Sequence, residues 1–503
     1  MIPKIDVVVQ QGNVTAIETD ALVVNLFKGV RKPGGATGAV DRALNGAISE
    51  LIQQGDLDGT LGQTAVIYPR GAIPARRVIV VGLGDAARFD LEGVRKAAAA
   101  AAKKARELKA KHVATIVHGA GIGGLDPAEA TQAVVEGSLL ALYWFPKYQQ
   151  TPPEPPAFPE KLTIVEFDAS KIPALEEGAR VGRVVAESVA FTRDLVMEPP
   201  NIATPAWLAQ RAREMAEEVG LQATVLTDPE LEELGMGFIL GVAQGSANRP
   251  HFVILEHNKE REDLPTMVLV GKGITFDTGG ISLKRSQDMW KMKHDMAGAA
   301  AVLGAMRAIA LLNLPLHVVG LTPFVENMPD GRAYRPADVL RNVRGKTAEI
   351  ISTDAEGRLI LSDALGYAER FHPDAVVDLA TLTGSQGIAL GHLAAALFSN
   401  DDTLAQELLN VGQKVGEWLW RMPLWDEYKE LIRSDVAEVK NSGGRKGSLP
   451  TSAKFLEHFT EGYPWAHLDI ASMVWVDAPK DYRTKGATGY GVRLLVEWLR
   501  GRA

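Results

Sequence analysis

Short apolar runs alternate with helical segments through the C-terminal two thirds of this 503-residue chain. The runs are rich in branched side chains and are apolar on both faces, a pattern typical of strands in a helix-covered sheet. A segment rich in alanine and leucine, 296–312, is predicted to be a helix between them. The pattern predicts an α/β fold with a central mixed sheet flanked by helices, and ligands in such sheets gather beyond the carboxyl ends of the strands. The predicted strands are 252–255, 267–270, 316–321, 348–351 and 376–379.

The chain is too long for one hydrophobic core, so it is expected to form more than one domain. Residues 1–172 are predicted to form a smaller N-terminal α/β domain that serves assembly or regulation. A proline-rich break at 151–159 and a strand at 162–167 precede a helix that runs from 173 to about 195 and joins this domain to the next. Residues 173–503 hold that helix and the larger catalytic domain. Strands of the first domain are predicted at 5–9, 21–26, 64–67, 78–81 and 113–117, with a helix at 91–111.

Composition excludes several classes of protein. The chain has no cysteine, which rules out disulfides, thiolate zinc sites and cysteine nucleophiles. A formal net charge of -8 argues against a general nucleic-acid binder, so nucleic acid is an unexpected but not an excluded partner. The N-terminus does not have the pattern of a signal peptide, and no apolar stretch is expected to reach the ~18–20 residues that span a bilayer. A cytoplasmic protein without membrane contact is expected.

Acidic and basic residues recur where predicted strands end. The segment 352–359 reads Ser-Thr-Asp-Ala-Glu-Gly-Arg-Leu, with Asp354 and Glu356 two positions apart and Arg358 close behind. In an extended chain, positions i and i+2 project to one side, where two carboxylates repel unless a cation lies between them. Oxygen donors of this kind suit Mg, Mn or Zn, and two such ions form a hydrolytic device. The upstream residues of the same character are Lys272, Asp277, Lys284 and Asp295.

Each of these residues also has a purely structural interpretation. Lys272 and Asp277 lie in a glycine-rich loop that can be a simple connection, and the spacing of a phosphate-binding loop is absent there. Asp295 can be the N-cap of the following helix, and 354–358 can be a solvated turn. The histidines form no H-E-x-x-H motif, and His294, His392 and His467 are interpreted as structural. No G-x-S-x-G motif supports serine catalysis.

The segments 270–302, 326–365 and 381–384 resemble the leucyl aminopeptidase family, also called cytosol aminopeptidases, which are dinuclear metallopeptidases. The family hallmark is Asn-Thr-Asp-Ala-Glu-Gly-Arg, and this chain departs from it only by Ser352. The similarity extends through 193–201 to 486–489, whereas residues 1–172 match the family only in general pattern. The resemblance implies a metal-dependent exopeptidase that releases N-terminal residues, preferentially leucine or similar apolar ones, through a water activated by two metal ions.

The resemblance also implies a role for each matched residue. Lys272, Asp277, Asp295 and Glu356 would hold one ion, and Asp277, Asp354 and Glu356 the other. Lys284 and Arg358 would be catalytic: Lys284 stabilises the carbonyl oxygen as charge develops, and Arg358 holds a bicarbonate ion that shuttles a proton. Two divalent ions per subunit, Mn or Zn with Mg as a further option, are the implied cofactors. The positions that match the substrate pocket are Met292, Thr381, Leu382 and Gly384.

Two alternatives stay open at the level of the sequence. The first keeps the metals and changes the substrate, giving a dipeptidase or cysteinylglycine hydrolase. The second is a DNA-binding accessory protein with secondary peptidase activity. Leucine preference is weakened by the basic loop 441–455, which contains Pro450 and matches a family segment near the pocket wall. The implied partners are peptides with a free N-terminus and further copies of the chain in a homohexamer.

Overall fold

A computed structural model describes residues 2–121, 123–150 and 156–503 of the chain. The chain forms two compact units. Unit 1 comprises Met1–Ala190 and Val476–Gly486, and unit 2 comprises Phe191–Trp475 and Ala487–Ala503. Both units are α/β, so the predicted fold class is confirmed. The division of labour predicted for 1–172 and 173–503, assembly and catalysis, stays a prediction.

Unit 1 is built on a six-stranded sheet in the order β1-β6-β5-β2-β4-β3; within the described residues, β3 and β4 pair antiparallel and the other neighbours pair in parallel. Its strands are β1 (Asp6–Gln11), β2 (Ala21–Phe27), β3 (Thr64–Ile67), β4 (Val78–Gly84), β5 (His112–Thr115) and β6 (Lys161–Glu166). Its helices are α1 (Gly35–Ala43), α2 (Ala47–Gln54), α3 (Leu91–Glu107) and α4 (Pro127–Leu140). Helix α5 (Ile172–Met197), predicted from 173 to about 195, continues from unit 1 into unit 2.

Part of the predicted proline-rich break, residues 151–155, lies outside the described residues. Residues 156–159, the remainder of that break, belong to neither a helix nor a strand, as expected of chain with two further prolines.

Unit 2 is built on a nine-stranded mixed sheet in the order β16-β15-β18-β14-β9-β11-β8-β7, with β10 also paired to β11. Its strands are β7 (Gln222–Leu226), β8 (His251–His257), β9 (Thr266–Gly271), β10 (Gly273–Asp277), β11 (His317–Asn327), β14 (Ala375–Ala380), β15 (Ala395–Ser399), β16 (Leu419–Arg421) and β18 (Trp465–Asp469). Short strands outside this sheet are β12 (Val339–Arg341), β13 (Thr347–Glu349), β17 (Val439–Lys440), β19 (Trp475–Val476) and β20 (Gly486–Ala487).

The helices that cover this sheet are all shorter than twenty residues. They are α6 (Pro205–Val219), α7 (Asp228–Glu233), α8 (Gly237–Ala243), α9 (Ala297–Leu312), α10 (Gly357–Ala368), α11 (Gly384–Leu390), α12 (Asp402–Val415), α13 (Ser448–Glu457) and α14 (Val492–Arg500). Strands β9, β11 and β14 lie side by side and parallel, so their carboxyl ends share one edge of the sheet.

One predicted strand of the central sheet was wrong. Residues 348–351 contribute only to β13, which pairs with β12 and β17 in a separate three-stranded sheet. The strand ends at Glu349 because the next backbone donors leave the ladder. Ile350 N donates to Asp338 O at 2.8 Å, and Ile351 N donates to Asn441 Oδ1 at 2.8 Å. Ile350 is nevertheless buried in the same core as Val268 and Val270 of the main sheet, which explains why the run resembles a strand of that sheet.

Helix α9 packs closely over the carboxyl edge of the main sheet. A Cβ at Gly271, the last residue of β9, would lie 2.5 Å from Ala299 Cα, and a Cβ at Gly298 would lie 2.1 Å from Leu379 O. Among the described residues, Met289–Leu312 is one stretch apolar and long enough to cross a membrane, contrary to the expectation of none. However, 83% of its apolar window is buried inside the protein, which is typical of a core helix.

Candidate metal centre

The residues predicted to carry the chemistry converge at the carboxyl edge of the main sheet of unit 2. Lys272 follows β9 directly, Asp277 is the last residue of β10, and Thr381 follows β14 directly. Asp295 comes from the short connection between a 3₁₀ turn, Met289–His294, and α9. Asp354 and Glu356 lie in the turn that leads into α10. Parallel strands thus bring together side chains that are far apart in sequence.

Lys272 is buried at the floor of this group, with 3% of its side chain exposed. Its Nζ lies 2.8 Å from Asp295 Oδ2 and 2.9 Å from Glu356 Oε1, and it donates to Thr381 O at 2.9 Å. Burial alone would lower the pKa of the Lys272 ammonium, but Asp295, Glu356 and Asp277 together raise the pKa above its usual value. The protein therefore already places a cation among these carboxylates.

A second lysine, Lys284, occupies the outer side of the group. Its Nζ lies 2.7 Å from Asp277 Oδ2 and 2.5 Å from Asp354 Oδ1. The loop after β10 turns back sharply to bring it there, since Lys284 N donates to Thr278 O. Gly279 permits that turn: its φ is +85°, and a Cβ would lie 2.8 Å from Asp354 Oδ1. The glycine-rich segment is therefore a built part of the centre rather than a flexible connection.

The carboxylates themselves are strongly desolvated. Burial raises the pKa of Asp295 to about 8 and that of Asp354 to about 6, against a usual value of 3.8. Asp277 is also shifted upward, first by burial and then by the charge of Glu356. Burying several carboxylates together away from water costs free energy unless positive charge compensates them. The two lysines supply part of that compensation.

The structure shows two features that fit divalent metal ions. Asp277, Asp354 and Glu356 each offer a carboxylate oxygen, and these oxygens lie within 4.8 Å of one another. Glu356 Oε2 is buried and has no hydrogen-bond partner among the described residues. A buried carboxylate oxygen without a donor is rare in proteins unless a cation meets it. Oxygen donors at this spacing fit Mn, Zn or Mg.

Sequence reasoning missed Asn327 and Tyr334, which hold these acids in place, and assigned Thr381 only to the substrate pocket. Asn327, the last residue of β11, donates from Nδ2 to Asp277 Oδ1 at 2.9 Å and to Thr353 O at 3.0 Å. Tyr334 donates its hydroxyl to the same Thr353 O at 2.8 Å. Thr381 Oγ1 donates to Asp295 Oδ1 at 2.7 Å. The available signal was that Asn327 is a polar residue at the carboxyl end of a strand that is otherwise buried.

Arg358 lies in the first turn of α10 and is nearly fully buried. Its Nη1 donates to Asn441 O at 2.6 Å, while its Nε is buried and has no hydrogen-bond partner among the described residues. Burial lowers the pKa of the Arg358 guanidinium to about 10, which leaves it charged at neutral pH. A fixed guanidinium with an unused donor is suited to a small planar anion.

The predicted substrate residues occupy the same region. Thr381 contacts Asp295 directly, and Leu382 and Gly384 follow it in the loop that leads into α11. The loop is held from behind by Asp469, which accepts from Leu382 N at 3.2 Å and from Thr383 Oγ1 at 2.7 Å. Met292 precedes Asp295 by three residues in the 3₁₀ turn, where Asp295 N donates to its carbonyl.

Two details of the sequence interpretation were wrong. Asp295 is not the N-cap of α9, because Met296 occupies that position. Asp354 and Glu356 do not project from an extended strand, because β13 ends at Glu349 and a turn follows. Their carboxylates meet because the turn curls toward β10. His467, interpreted as structural, is buried and pairs with Asp378 through Nδ1 at 2.6 Å.

Comparison with models of protein families gives two matches that together cover most of the chain. The model of the catalytic domain of the cytosol aminopeptidase family matches residues 190–496, and the model of its N-terminal domain matches residues 23–152. The chain belongs to the cytosol aminopeptidase family. It is therefore a metal-dependent aminopeptidase, a hydrolase of peptide bonds.

Relatives and solved structures of the family cover almost all of the chain. A probable cytosol aminopeptidase of Roseiflexus castenholzii is 46% identical over 499 residues, which are 98% of this chain and 99% of that one. A mutant of tomato leucine aminopeptidase has a TM-score of 0.87 at 33% identity and covers 99% of this chain and 97% of its own. The bottromycin maturation enzyme BotP in complex with Mn has a TM-score of 0.84 at 37% identity, covering 96% and 99%.

Proposed function

We propose that this aminopeptidase releases leucine and similar apolar residues from peptide N-termini with the help of two divalent metal ions. The observation that carries the proposal is the convergence of four carboxylates on two lysines at one edge of the sheet. Five residues would hold the ions: Lys272, Asp277, Asp295, Asp354 and Glu356. When bound, such a pair of ions polarises the carbonyl under attack and makes a water nucleophilic.

The two lysines differ in a way that supports separate roles. Lys272 has 3% of its side chain exposed and is enclosed by its partners, so it can serve the ions but cannot reach a peptide. Lys284 has 26% exposed and lies on the outer side. In this proposal the Lys284 ammonium turns from Asp354 toward the carbonyl oxygen of the substrate and stabilises its developing negative charge.

Arg358 would hold a bicarbonate ion that moves the proton of the attacking water. The buried Nε without a partner supports this, since a planar anion can accept from the free edge of a guanidinium. The free N-terminal amine of the peptide would bind within the same acidic group, which limits cleavage to the first peptide bond. Met292, Thr381, Leu382 and Gly384 would line the pocket for the first side chain.

Manganese is the first choice of metal for the test, since BotP was solved in complex with Mn. The decisive experiment replaces Asp354 by alanine and measures bound manganese together with hydrolysis of a leucyl anilide. Both are expected to fall by at least about tenfold, because Asp354 is one of three carboxylates that share the site. Asp263→Ala, which removes an exposed aspartate paired with Arg261, is the matched control. Unchanged metal content in Asp354→Ala would refute the assignment.

We also propose that the protein works in the cytoplasm as a homohexamer. The family name and the absence of cysteine from the sequence support the compartment. Exposed aromatic side chains on unit 2 support self-association: 64% of Trp420, 64% of Trp425 and 47% of Trp418 is exposed. Light scattering on the eluting chromatographic peak tests the hexamer, and a mass near 54.1 kDa would refute it.

A further inference from the structure

Unit 1 contains a cavity of about 550 Å³ that the metal centre does not use. Its lining includes residues that end or follow four strands of the unit 1 sheet, namely 12–14 after β1, 25–27 at the end of β2, 116–117 after β5 and 165–167 at the end of β6. The loop 33–37, which leads into α1, closes another side. The volume lies within the range of small-molecule sites.

The topology of the sheet indicates that this cavity lies where ligands commonly bind in α/β folds. The strand order is β1-β6-β5-β2-β4-β3, and β2 pairs in parallel with β5 from Ala21↔Val113 to Val23↔Thr115. After β2 the chain passes to β3 and β4 on one side, and after β5 it passes to β6 on the other side. The connections therefore diverge between β2 and β5. In open α/β sheets such a divergence leaves a crevice outside the carboxyl ends of the strands, where ligands bind.

Part of the cavity lining is glycine and presents backbone rather than side chains. Gly12 lines the cavity at an ordinary φ, and a Cβ there would meet only Ile17 Cδ1 at 3.8 Å, so packing does not demand glycine. Gly34 also lines it at φ -114°, a conformation open to any residue. As the N-cap of α1, Gly34 supplies no side-chain hydrogen bond to the first turn of the helix. The amino end of α1 is thus open toward the cavity.

The rim at the end of β6, beside Gly12 and two strands away from β2, carries an aromatic ring that the fold does not use. Phe167 lines the cavity with 79% of its surface exposed, the largest exposed fraction of any aromatic residue in the described part of the chain. Exposing a phenylalanine to this extent forgoes the free energy of its burial. An exposed ring at the mouth of a cavity is a stacking surface for a planar base.

The cavity has one acidic and one basic side chain at the end of β6 and in the segment that follows it, and a helix amino end elsewhere in its lining. Glu166, beside Phe167, is acidic and accepts from Asp168 N at 2.9 Å, so it disfavours a phosphate at that rim. Lys171 adds one positive charge to the lining, and the first turn of α1 adds a partial positive charge where that helix begins. We propose that this cavity binds a nucleoside phosphate, with its phosphates at the amino end of α1 and its base against Phe167.

Isothermal titration of the full, manganese-loaded protein with ADP, adenosine and pyrophosphate tests the proposal. One ADP per chain with a dissociation constant in the micromolar range is expected, with weaker binding of adenosine and of pyrophosphate because each makes half of the contacts. Because ADP also binds divalent ions, hydrolysis of leucyl anilide is followed in the same samples. No heat of binding up to ~1 mM ADP would overturn the proposal.

Two pairs of variants locate the site. Ala36→Glu puts a negative charge in the first turn of α1, where helices tolerate it, and is expected to weaken ADP binding about tenfold or more, while the isosteric Ala36→Gln weakens it less than about threefold. Phe167→Ala is expected to weaken ADP and adenosine about tenfold and to leave pyrophosphate unchanged. Tyr68→Ala, another exposed aromatic residue of unit 1, is its control.

The peptidase activity separates this proposal from the function of unit 2, since all four variants should hydrolyse leucyl anilide at the rate of the natural protein. If the affinity for ADP is unchanged in both Ala36→Glu and Phe167→Ala, this cavity is not the binding site. Pyrophosphate binding as tight as that of ADP would overturn the nucleoside part of the assignment.

Discussion

Uncharged side chains fix the positions of the carboxylates in the metal centre through hydrogen bonds. Asn327 joins two of the segments that carry them, because one amide nitrogen donates both to Asp277 and to the carbonyl preceding Asp354. The change Asn327→Ala removes both hydrogen bonds, so Asp277 loses this donor and Thr353 O keeps only the Tyr334 hydroxyl. Manganese affinity is expected to fall by about 10–100-fold, the usual effect of losing a partner that orients a ligand. Calorimetric titration of the metal-free protein with manganese measures it.

The control for that prediction is Asn342→Ala. Asn342 is as buried as Asn327, and its Oδ1 accepts from Arg344 N and Lys346 N in a loop outside the centre. Its loss should lower stability while manganese affinity stays within about threefold of the natural value, since no carboxylate of the centre depends on it. An equal loss of affinity in both variants would show that the effect is one of general stability.

The two lysines of the centre should also differ in how far they stabilise the metal-free protein. Lys272→Met leaves Asp295 and Glu356 buried without their cation, which is expected to cost about 3–5 kcal/mol of unfolding free energy. Lys284→Met is expected to cost less, about 2 kcal/mol, because its partner Asp277 is buried but 26% of the Lys284 side chain and 38% of that of its other partner, Asp354, are exposed. Urea unfolding in the presence of a chelator measures both. Equal costs would contradict the burial argument.

At the scale of secondary-structure elements, one helix depends on a side chain from another. Helix α8 has Met236 as N-cap, which supplies no side-chain bond. Asp363, in α10, replaces the missing cap: its Oδ2 accepts from Phe238 N and Ile239 N, and its Oδ1 accepts from Val343 N. Asp363→Ala buries three backbone donors without a partner and is expected to destabilise unit 2 by about 3 kcal/mol or more. Thermal or urea unfolding reads this out.

The comparison variant for Asp363→Ala is Asp401→Ala. Asp401 caps α12 locally by accepting from Leu404 N at 2.7 Å, and water can replace this bond because the position is partly exposed. Its loss is expected to cost about 1 kcal/mol, the usual value for an N-cap. If both variants lose the same stability, Asp363 contributes no more than an ordinary cap and the interpretation is wrong.

The elements also show what sequence patterns can and cannot predict. Strand 64–67 was predicted with its observed bounds, because its apolar run is flanked by glycine on one side and proline on the other. Strand β11 was predicted as 316–321 but continues to Asn327, because proline and polar residues near its end look like a terminus in isolation. The capping of α8 by Asp363 was invisible, since the two residues are more than a hundred positions apart.

At the scale of the whole molecule, the site residues that could be predicted are those that lie in one short, contiguous sequence motif. The segment 352–359 contains two carboxylates and an arginine, residue types that bind metal ions and anions. Asn327 and Asp469 were not predictable, because each is an ordinary polar residue until the parallel strands place it beside the others. The cavity of unit 1 was not predicted for the same reason. It depends on the strand order that makes the connections diverge between β2 and β5, and no single sequence segment determines that order.

The free energy of unfolding of the whole chain depends on pH, and one buried histidine, His118, is expected to lower it at acidic pH. His118 in unit 1 is fully enclosed, and burial lowers its pKa from 6.5 to about 4. Asn25 Nδ2 donates to His118 Nδ1 at 3.1 Å, so protonation of Nδ1 would also break this bond. The small cavity beside the ring is lined by uncharged side chains, among them Val23, Ser138 and Leu139. The neutral imidazole is thus the form that the folded state requires.

The sign of the pH dependence follows from this lowered pKa. Between about pH 4 and pH 6.5 the unfolded chain binds the His118 proton and the folded chain does not, so stability falls as the pH falls through this window. The contribution amounts to about 3 kcal/mol between pH 7 and pH 4. His118→Gln keeps an acceptor for Asn25 but cannot titrate, so the difference between the urea midpoints of the two proteins should shift in favour of the variant on acidification. A difference that stays constant from pH 7 to pH 4 would mean that His118 is already protonated, or exposed, in the folded protein.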